Sequence, residues 1–345
     1  MRKVIEILIV DDSAFMRLLI SDILSECERF KVIATAQNGK EAVEKTLKLR
    51  PNIVLMDMEM GEYGGIYGVN EIMKRAPTPI IILSSVGNKN MGLVFEALDA
   101  GAIDYMNKPA SGHSKIRRLK EELFYKVNIA STSKLLVSGK RLKSEGNVNF
   151  INKKGFGIMV IGGSTGGPKA IEILLSGIPS NWNIPIVIAQ HMPRNFVKPF
   201  ATRLSRVLGT EVSVAYSGST IRAGVIWVCD NEVNLQLIKS TDGELSTVVR
   251  NKDFPEYNHP SIDCLFFSAS TVFGKKSIGI LLSGMGKDGA RGLLAIKSAG
   301  GATVAQDEKT SVIYGMPRAA KELQAPEHVL PIHEIAPFLR KLEQK

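Results

Sequence analysis

Short β-branched runs recur along this chain, separated from one another by amphipathic stretches with helical spacing. That alternation admits few arrangements other than a parallel sheet covered by helices. Val4 to Val10, Lys31 to Ala36, Asn52 to Asp57, Pro79 to Ser84 and Ala102 to Asn107 read as strands, and helix-like stretches start at Ser13 and Gly39. Five strands in about 110 residues imply a doubly wound sheet, whose functional side chains collect at the carboxyl ends of the strands. The same pattern returns later, with Gly157 to Ile161, Ile184 to Ala189 and Ser277 to Leu282 as strands. The expected fold class is therefore α/β, with two doubly wound parallel-sheet domains, 1–125 and 156–345. A length of 345 residues suits two domains, each with its own core.

Between them, residues 126–155 are expected to form a basic linker. Residues 1–125 carry 17 basic and 17 acidic side chains, 126–155 carry 7 and 1, and 156–345 carry 20 and 16. The net charge of +10 is thus concentrated in the middle, where Lys134, Lys140, Arg141, Lys143, Lys153 and Lys154 lie among Ser, Asn and Gly. Such a segment reads as a solvated tether, and a basic contact with an acidic partner or a lipid surface is the alternative. The second domain has a modest charge excess and reads as alternating strands and helices without a basic recognition helix, which argues against nucleic acid as a partner. No apolar run approaches the ~20 residues of a membrane span, so no integral membrane segment is expected. Cys27, Cys229 and Cys264 are odd in number and lack metal-ligand spacing, which fits a reducing, cytoplasmic setting.

In the first domain Asp11 and Asp12 close the first strand, Asp57 the third and Ser84 the fourth, while Lys108 follows the fifth. Taken singly, these are helix caps, turn residues or solvated charges. Together they make a site for a hard divalent cation and a phosphoryl group. Oxygen ligands from Asp11, Asp12 and Asp57 suit Mg²⁺, Asp57 can attack phosphorus, and Lys108 and Ser84 can bind the transferred oxygens. The segments Asp11-Asp12-Ser13-Ala14-Phe15-Met16-Arg17, Met56-Asp57-Met58-Glu59-Met60 and Gly101-Ala102-Ile103-Asp104-Tyr105, with Lys108-Pro109, resemble a response-regulator receiver domain. That resemblance implies a flavodoxin-like domain in which Asp57 takes phosphate from a histidine kinase and Ser84 and Lys108 switch with phosphorylation. Gly61 stands where the family usually has proline, and Gly64 where an acidic or polar residue is common, so a more mobile loop is expected after Asp57.

In the second domain the first strand runs into Gly162-Gly163-Ser164-Thr165-Gly166-Gly167-Pro168 and then a helical pattern through Leu175. A strand, glycine turn and helix present Ser164 beside free backbone donors. A dinucleotide-binding loop fits less well. Ser164 takes the place of that motif's central glycine, and the next strand ends in Gln190-His191 with no acidic ribose ligand. A serine nucleophile needs a base and a group that orients the base. His191, after the next strand, and Asp288, in Ser283-Gly284-Met285-Gly286-Lys287-Asp288-Gly289 after another, are the candidates. Alone, His191 would be a structural histidine and Asp288 a helix N-cap.

With Gln306-Asp307-Glu308 and Tyr314-Gly315-Met316-Pro317-Arg318-Ala319, these segments resemble the catalytic domain of the chemotaxis protein-glutamate methylesterases. The resemblance implies a Rossmann-like domain with Ser164 as nucleophile, His191 as general base and then acid, and Asp288 fixing the imidazole tautomer. It further implies an oxyanion hole from backbone amides near Thr165 and Met285. The implied substrates are methylated glutamates of chemoreceptors, with receptor glutamine deamidation the same chemistry with another leaving group. A histidine kinase would be the phosphodonor, and recruitment to chemoreceptor arrays would bring enzyme and substrate together. No cofactor is expected for the ester chemistry. Two departures stand out, at Cys229 to Leu235, where the family often has Pro-Gly and a histidine but this chain has Asn234, and at His259, where arginine is usual. The rival reading is a response regulator whose second domain is a non-catalytic protein-interaction module.

Overall fold

The computed structural model describes residues 4–85, 91–108, 113–131, 155–179, 182–251, 253–254 and 259–342, without the side chains of 113–119. The chain divides into two compact units, Met1–Gly139 and Lys140–Lys345. In the first, β1 (Ile5–Val10), β2 (Phe30–Ala36), β3 (Ile53–Asp57), β4 (Ile80–Ser84) and β5 (Asp104–Asn107) alternate with α1 (Ala14–Ser25), α2 (Gly39–Leu49), α3 (Gly65–Arg75), α4 (Met91–Ala100) and α5 (His113–Ala130). The strands form one sheet in the order β2-β1-β3-β4-β5, parallel throughout. Strands β3 and β4 are buried at every position, as expected of a parallel sheet covered on both faces.

Local chemistry sets the turns. The Ser13 side chain accepts the Met16 N–H and starts α1, and Asn38 accepts the Glu41 N–H to start α2. Gly61, at the replaced proline position, has φ of +65°, which proline's ring forbids, and opens a single 3-10 turn, Gly61–Tyr63, before α3. Helix α5 corrects the expected start of the linker. It continues to Ala130 because Val127 and Ala130 are buried and Lys126 pairs with Asp104 at 2.6 Å. Lys126 counts among the basic residues of 126–155 yet belongs to the first unit's packing. The other linker lysines, and Arg141, lie outside the described residues.

In the second unit, β6 (Ile158–Gly163), α6 (Gly167–Ser176), β7 (Ile186–Gln190), α7 (Arg194–Leu208), β8 (Val212–Ala215) and β9 (Ile226–Cys229) come first. They are followed by β10 (Leu235–Lys239), β11 (Leu245–Val249), α8 (Ile262–Phe273), β12 (Ser277–Leu281), α9 (Ala290–Ser298), β13 (Ala302–Gln306), α10 (Met316–Glu322), β14 (His328–Leu330) and α11 (Ile332–Leu342). The sheet order is β14-β13-β12-β6-β7-β9-β8, again all parallel. The chain builds outward from β6 on one side and returns to its other side at β12. The crevice at the carboxyl ends of β12, β6 and β7 is therefore a topological switch point, where open α/β sheets place their ligands. An antiparallel pair, β10 and β11, stands apart from this sheet and packs on α8 through the Leu237 N–H, which donates to Ser268 Oγ at 3.0 Å. No helix among the described residues is long and apolar enough to cross a membrane.

Candidate functional site

Because β6 and β7 are parallel neighbours, Gly163 lies opposite Gln190, and Ser164 and His191 leave the sheet side by side. The His191 N–H donates to the Gly163 carbonyl at 3.0 Å. The Gln190 amide donates to the carbonyls of Ser164 at 2.9 Å and His191 at 2.8 Å, fastening the two turns together. This explains the glycines. A Cβ on Gly167 would lie 2.1 Å from Gln190 Oε1, and one on Gly163 2.6 Å from it. The glycine turn leaves room for a buried glutamine, not for a pyrophosphate. Gly167→Ala is accordingly expected to displace Gln190 and lower kcat by about 100-fold, the scale of a misplaced reacting group, in an assay of ester hydrolysis.

His191 Nε2 lies 2.9 Å from Asp288 Oδ2. Asp288 is buried and sits at the N-terminus of α8, where it accepts the N–H groups of Ile262 at 2.8 Å and Asp263 at 2.9 Å and, more distantly, the Ser261 hydroxyl at 3.3 Å. Its Oδ1 also accepts the Gly289 N–H at 3.0 Å, and it is Gly289, not Asp288, that caps α9. Burial works to raise the Asp288 carboxyl, but His191 and these backbone donors outweigh it and hold the pKa below the ordinary value. An ionised, acceptor-only Asp288 makes Nε2 the protonated nitrogen of a neutral ring and leaves Nδ1 able to accept a proton. Ser164 Oγ makes no hydrogen bond to the imidazole among the described residues. The register alone brings them together, and such contacts are commonly loose before substrate binds.

Next to the serine turn, the Ser164 N–H donates to the Ser283 carbonyl at 3.0 Å, and the Ser283 hydroxyl donates to the Thr165 carbonyl at 2.8 Å. Ser283 Oγ accepts the Ile313 N–H at 3.0 Å, and the Ser283 N–H donates to Gln306 Oε1 at 2.8 Å. The N–H groups of Gly315 and Met316 converge on the Gly284 carbonyl at 3.0 and 2.8 Å. The Thr165 turn, the loop holding Met285 and the Tyr314 to Arg318 motif thus form one braced assembly. Gln190, Ser283 and Gln306 stood in motifs of the sequence, yet nothing local announced that they brace the site.

In the first unit Lys108 Nζ lies 2.7 Å from Asp11 Oδ2 and 2.8 Å from Asp57 Oδ2. Burial acts to lower the Lys108 ammonium, but the two carboxylates outweigh it and its pKa is raised. Burial raises the Asp57 carboxyl, against the pull of Lys108. Asp57 Oδ1 accepts the Met58 N–H at 2.8 Å. Arg17 donates to the carbonyls of Asp11 at 2.7 Å and Asp12 at 3.0 Å, which holds the acidic turn in place. Ligand oxygens of Asp11, Asp12 and Asp57 lie within 4.8 Å of one another, an all-oxygen set that suits Mg²⁺. Ser84, one register step past Leu83, the partner of Asp57, is buried, and its hydroxyl has no hydrogen-bond partner among the described residues.

The family described as CheB methylesterase matches residues 159–339, and the response regulator receiver domain matches residues 7–121. The chain belongs to the CheB methylesterase family. Members similar over the whole length include a Carboxydothermus hydrogenoformans protein named protein-glutamate methylesterase/protein-glutamine glutaminase 2, 39% identical over 96% of this chain and 97% of that one. A Thermotoga maritima protein of the same name, without the number, is 35% identical over 99% of both chains. The crystal structure of the Thermotoga maritima CheB methylesterase catalytic domain matches with a TM-score of 0.51 and 33% identity, covering 54% of this chain and 98% of that one. Receiver and CheB methylesterase domains therefore occur in this chain in the order that the sequence reading expected.

Proposed function

We propose that this protein hydrolyses the methyl esters of chemoreceptor glutamates under the control of phosphorylation at Asp57. The observation that carries the reading is the 2.9 Å bond between His191 and Asp288, set at the sheet's switch point beside the Ser164 turn. Ser164 attacks the ester carbonyl and His191 Nδ1 takes its proton. Methanol leaves with a proton returned by His191, and water then cleaves the acyl-enzyme by the reverse exchange. Asp288 stabilises the imidazolium, and amides of the Thr165 and Met285 segments receive the oxyanion. Glutamine deamidation follows the same course with ammonia leaving, in keeping with the second half of the relatives' name.

In the receiver unit, Asp11, Asp12 and Asp57 are the residues that would hold Mg²⁺, which supplies charge neutralisation for phosphoryl transfer. Asp57 accepts the phosphoryl group from a histidine kinase, and Lys108 and the free Ser84 hydroxyl bind its oxygens. The setting that fits these partners is the cytoplasm. The test is methanol release from a methylated receptor cytoplasmic fragment by the full chain, with and without a small phosphodonor and Mg²⁺. Phosphodonor is expected to raise the rate between about 5- and 150-fold, the usual range of coupling between sites, and Asp57→Asn to remove that rise while keeping the basal rate. No release under either condition would leave the protein-interaction reading.

A further inference from the structure

Behind Asp288 lies a second layer of polar groups that the proposed chemistry does not use. Asn234, at the entrance to β10, is fully buried at 0% exposure. Its Oδ1 accepts the Ser261 N–H at 2.6 Å and faces His259 Nδ1 at 3.1 Å. Because Ser261 N–H can only donate, the atom facing it must be the amide oxygen, and His259 must then carry its proton on Nδ1. The rest of Asn234 is also engaged. Its N–H donates to Asn251 Oδ1 at 2.7 Å, its carbonyl accepts the Arg250 N–H at 2.8 Å, and Nδ2 reaches the Phe254 carbonyl at 3.4 Å.

Ser261 is the N-cap of α8. Its hydroxyl accepts the Cys264 N–H at 3.2 Å and donates to Asp288, and the next two N–H groups are those that hold the Asp288 carboxylate. A shift of Ser261 would therefore carry with it the three donors that the start of α8 offers Asp288. Asn234 is the one side chain among the described residues that hydrogen-bonds the Ser261 N–H, and it is anchored on a different element, the β10–β11 pair.

We propose that Asn234 is a positioning residue for ester hydrolysis: it fixes the first turn of α8, and through it the orientation of Asp288 and His191. The inference rests on the reading of His191 and Asp288 as the base and its orienting group. His259 supports Asn234 from the solvent side. It is exposed, so water competes for its bond and its share is small.

Asn234→Leu, close in volume but unable to accept, should lower kcat by about 10- to 100-fold with KM within about twofold, the scale seen when a supporting shell is lost. Asn234→Asp keeps the acceptor but buries a carboxyl group and gives up the bond to the Phe254 carbonyl, so it should lower the melting temperature while kcat of the folded variant, like that of His259→Phe, stays within about threefold of the parent. If the leucine variant does not fold, Asn234→Ser replaces it, being polar but one atom too short to reach Ser261. Ser268→Ala is the control, since it removes another bond between α8 and the β10–β11 pair, farther along the helix from Asp288. It should lower the melting temperature and leave kcat in place.

The second readout is the low-field imidazole N–H resonance of the His191–Asp288 bond. It should shift or broaden in Asn234→Leu and persist in Ser268→Ala. A folded Asn234→Leu with the parent's kcat and resonance, or a Ser268→Ala that loses as much kcat, would overturn the proposal. If Asp288→Asn leaves hydrolysis unchanged, it is the assignment of the base that fails, and the resonance alone still decides whether Asn234 positions Asp288.

Discussion

Ser164→Ala is expected to reduce kcat for methyl ester hydrolysis by about 10⁵- to 10⁶-fold while KM moves by less than about threefold. Losing the nucleophile of a serine hydrolase removes both the covalent route and the proton transfer coupled to it, and what survives is the contribution of the oxyanion hole and substrate binding. The substitution costs little in structure. The Ser164 contacts with Ser283, Gln190 and Gly167 run through its backbone N–H and carbonyl, which alanine retains. The variant should therefore melt at the parent's temperature and still bind a methylated receptor fragment. Methanol release followed by an enzyme-coupled assay, with binding measured in parallel, checks both statements. Equal loss of binding and rate would place Ser164 in substrate recognition and send the search for the nucleophile elsewhere.

The features legible in the sequence are those that depend on strand ends. Asp11, Asp12, Asp57, Ser84, Ser164, His191 and the Asp288 loop each follow a short apolar run, and a parallel sheet sends all such ends to one edge. What stayed hidden depends on where unrelated segments meet. Asn234 and His259 could each be singled out as departures from the family pattern, but that they are hydrogen-bond partners depends on how β10 docks against the start of α8, for which no local signal exists. Gln190 is a similar case, because its role follows from the space left by Gly163 and Gly167, which in sequence look like turn formers only. The β10–β11 pair did carry a signal. Leu235 and Leu237 are buried with Gln236 between them less so, the alternation of a half-covered strand, and Gly243 sits in the turn that follows. The misplaced linker start has a plainer cause. Counting charges puts Lys126 with the basic segment, whereas the burial of Val127 and Ala130 keeps it in α5.

Asp288→Asn should lower kcat by about 10⁴-fold although the side chain keeps its shape. Oδ1 of Asp288 accepts from Asp263, Gly289 and Ser261, whereas Oδ2 accepts from Ile262 and His191. An asparagine has one oxygen to offer, and the side with three donors claims it. The amide nitrogen then points its hydrogens at the Ile262 N–H and at His191 Nε2. Two consequences follow. Nε2 must become an acceptor, so the imidazole proton moves to Nδ1, the nitrogen that has to take the proton of Ser164, and the base is lost with its geometry intact. The Ile262 N–H also loses its acceptor in a buried place, which costs about 1–3 kcal/mol of stability.

The pH dependence gives an independent check on that stability change. The Asp288 carboxyl is held below 3.8, its value in the unfolded chain, so the stability it contributes is fully present above that pH and is lost as the pH falls through the lower folded value. The parent's advantage over Asp288→Asn in urea unfolding should accordingly be no smaller at about pH 5 than at neutral pH and shrink only in more acidic solution. A difference that instead grew steadily as the pH fell from 7 towards 4 would mean that Asp288 holds its proton in the folded protein at neutral pH. In that case His191 Nε2 would be accepting a hydrogen bond, and Nδ1 could not be the base.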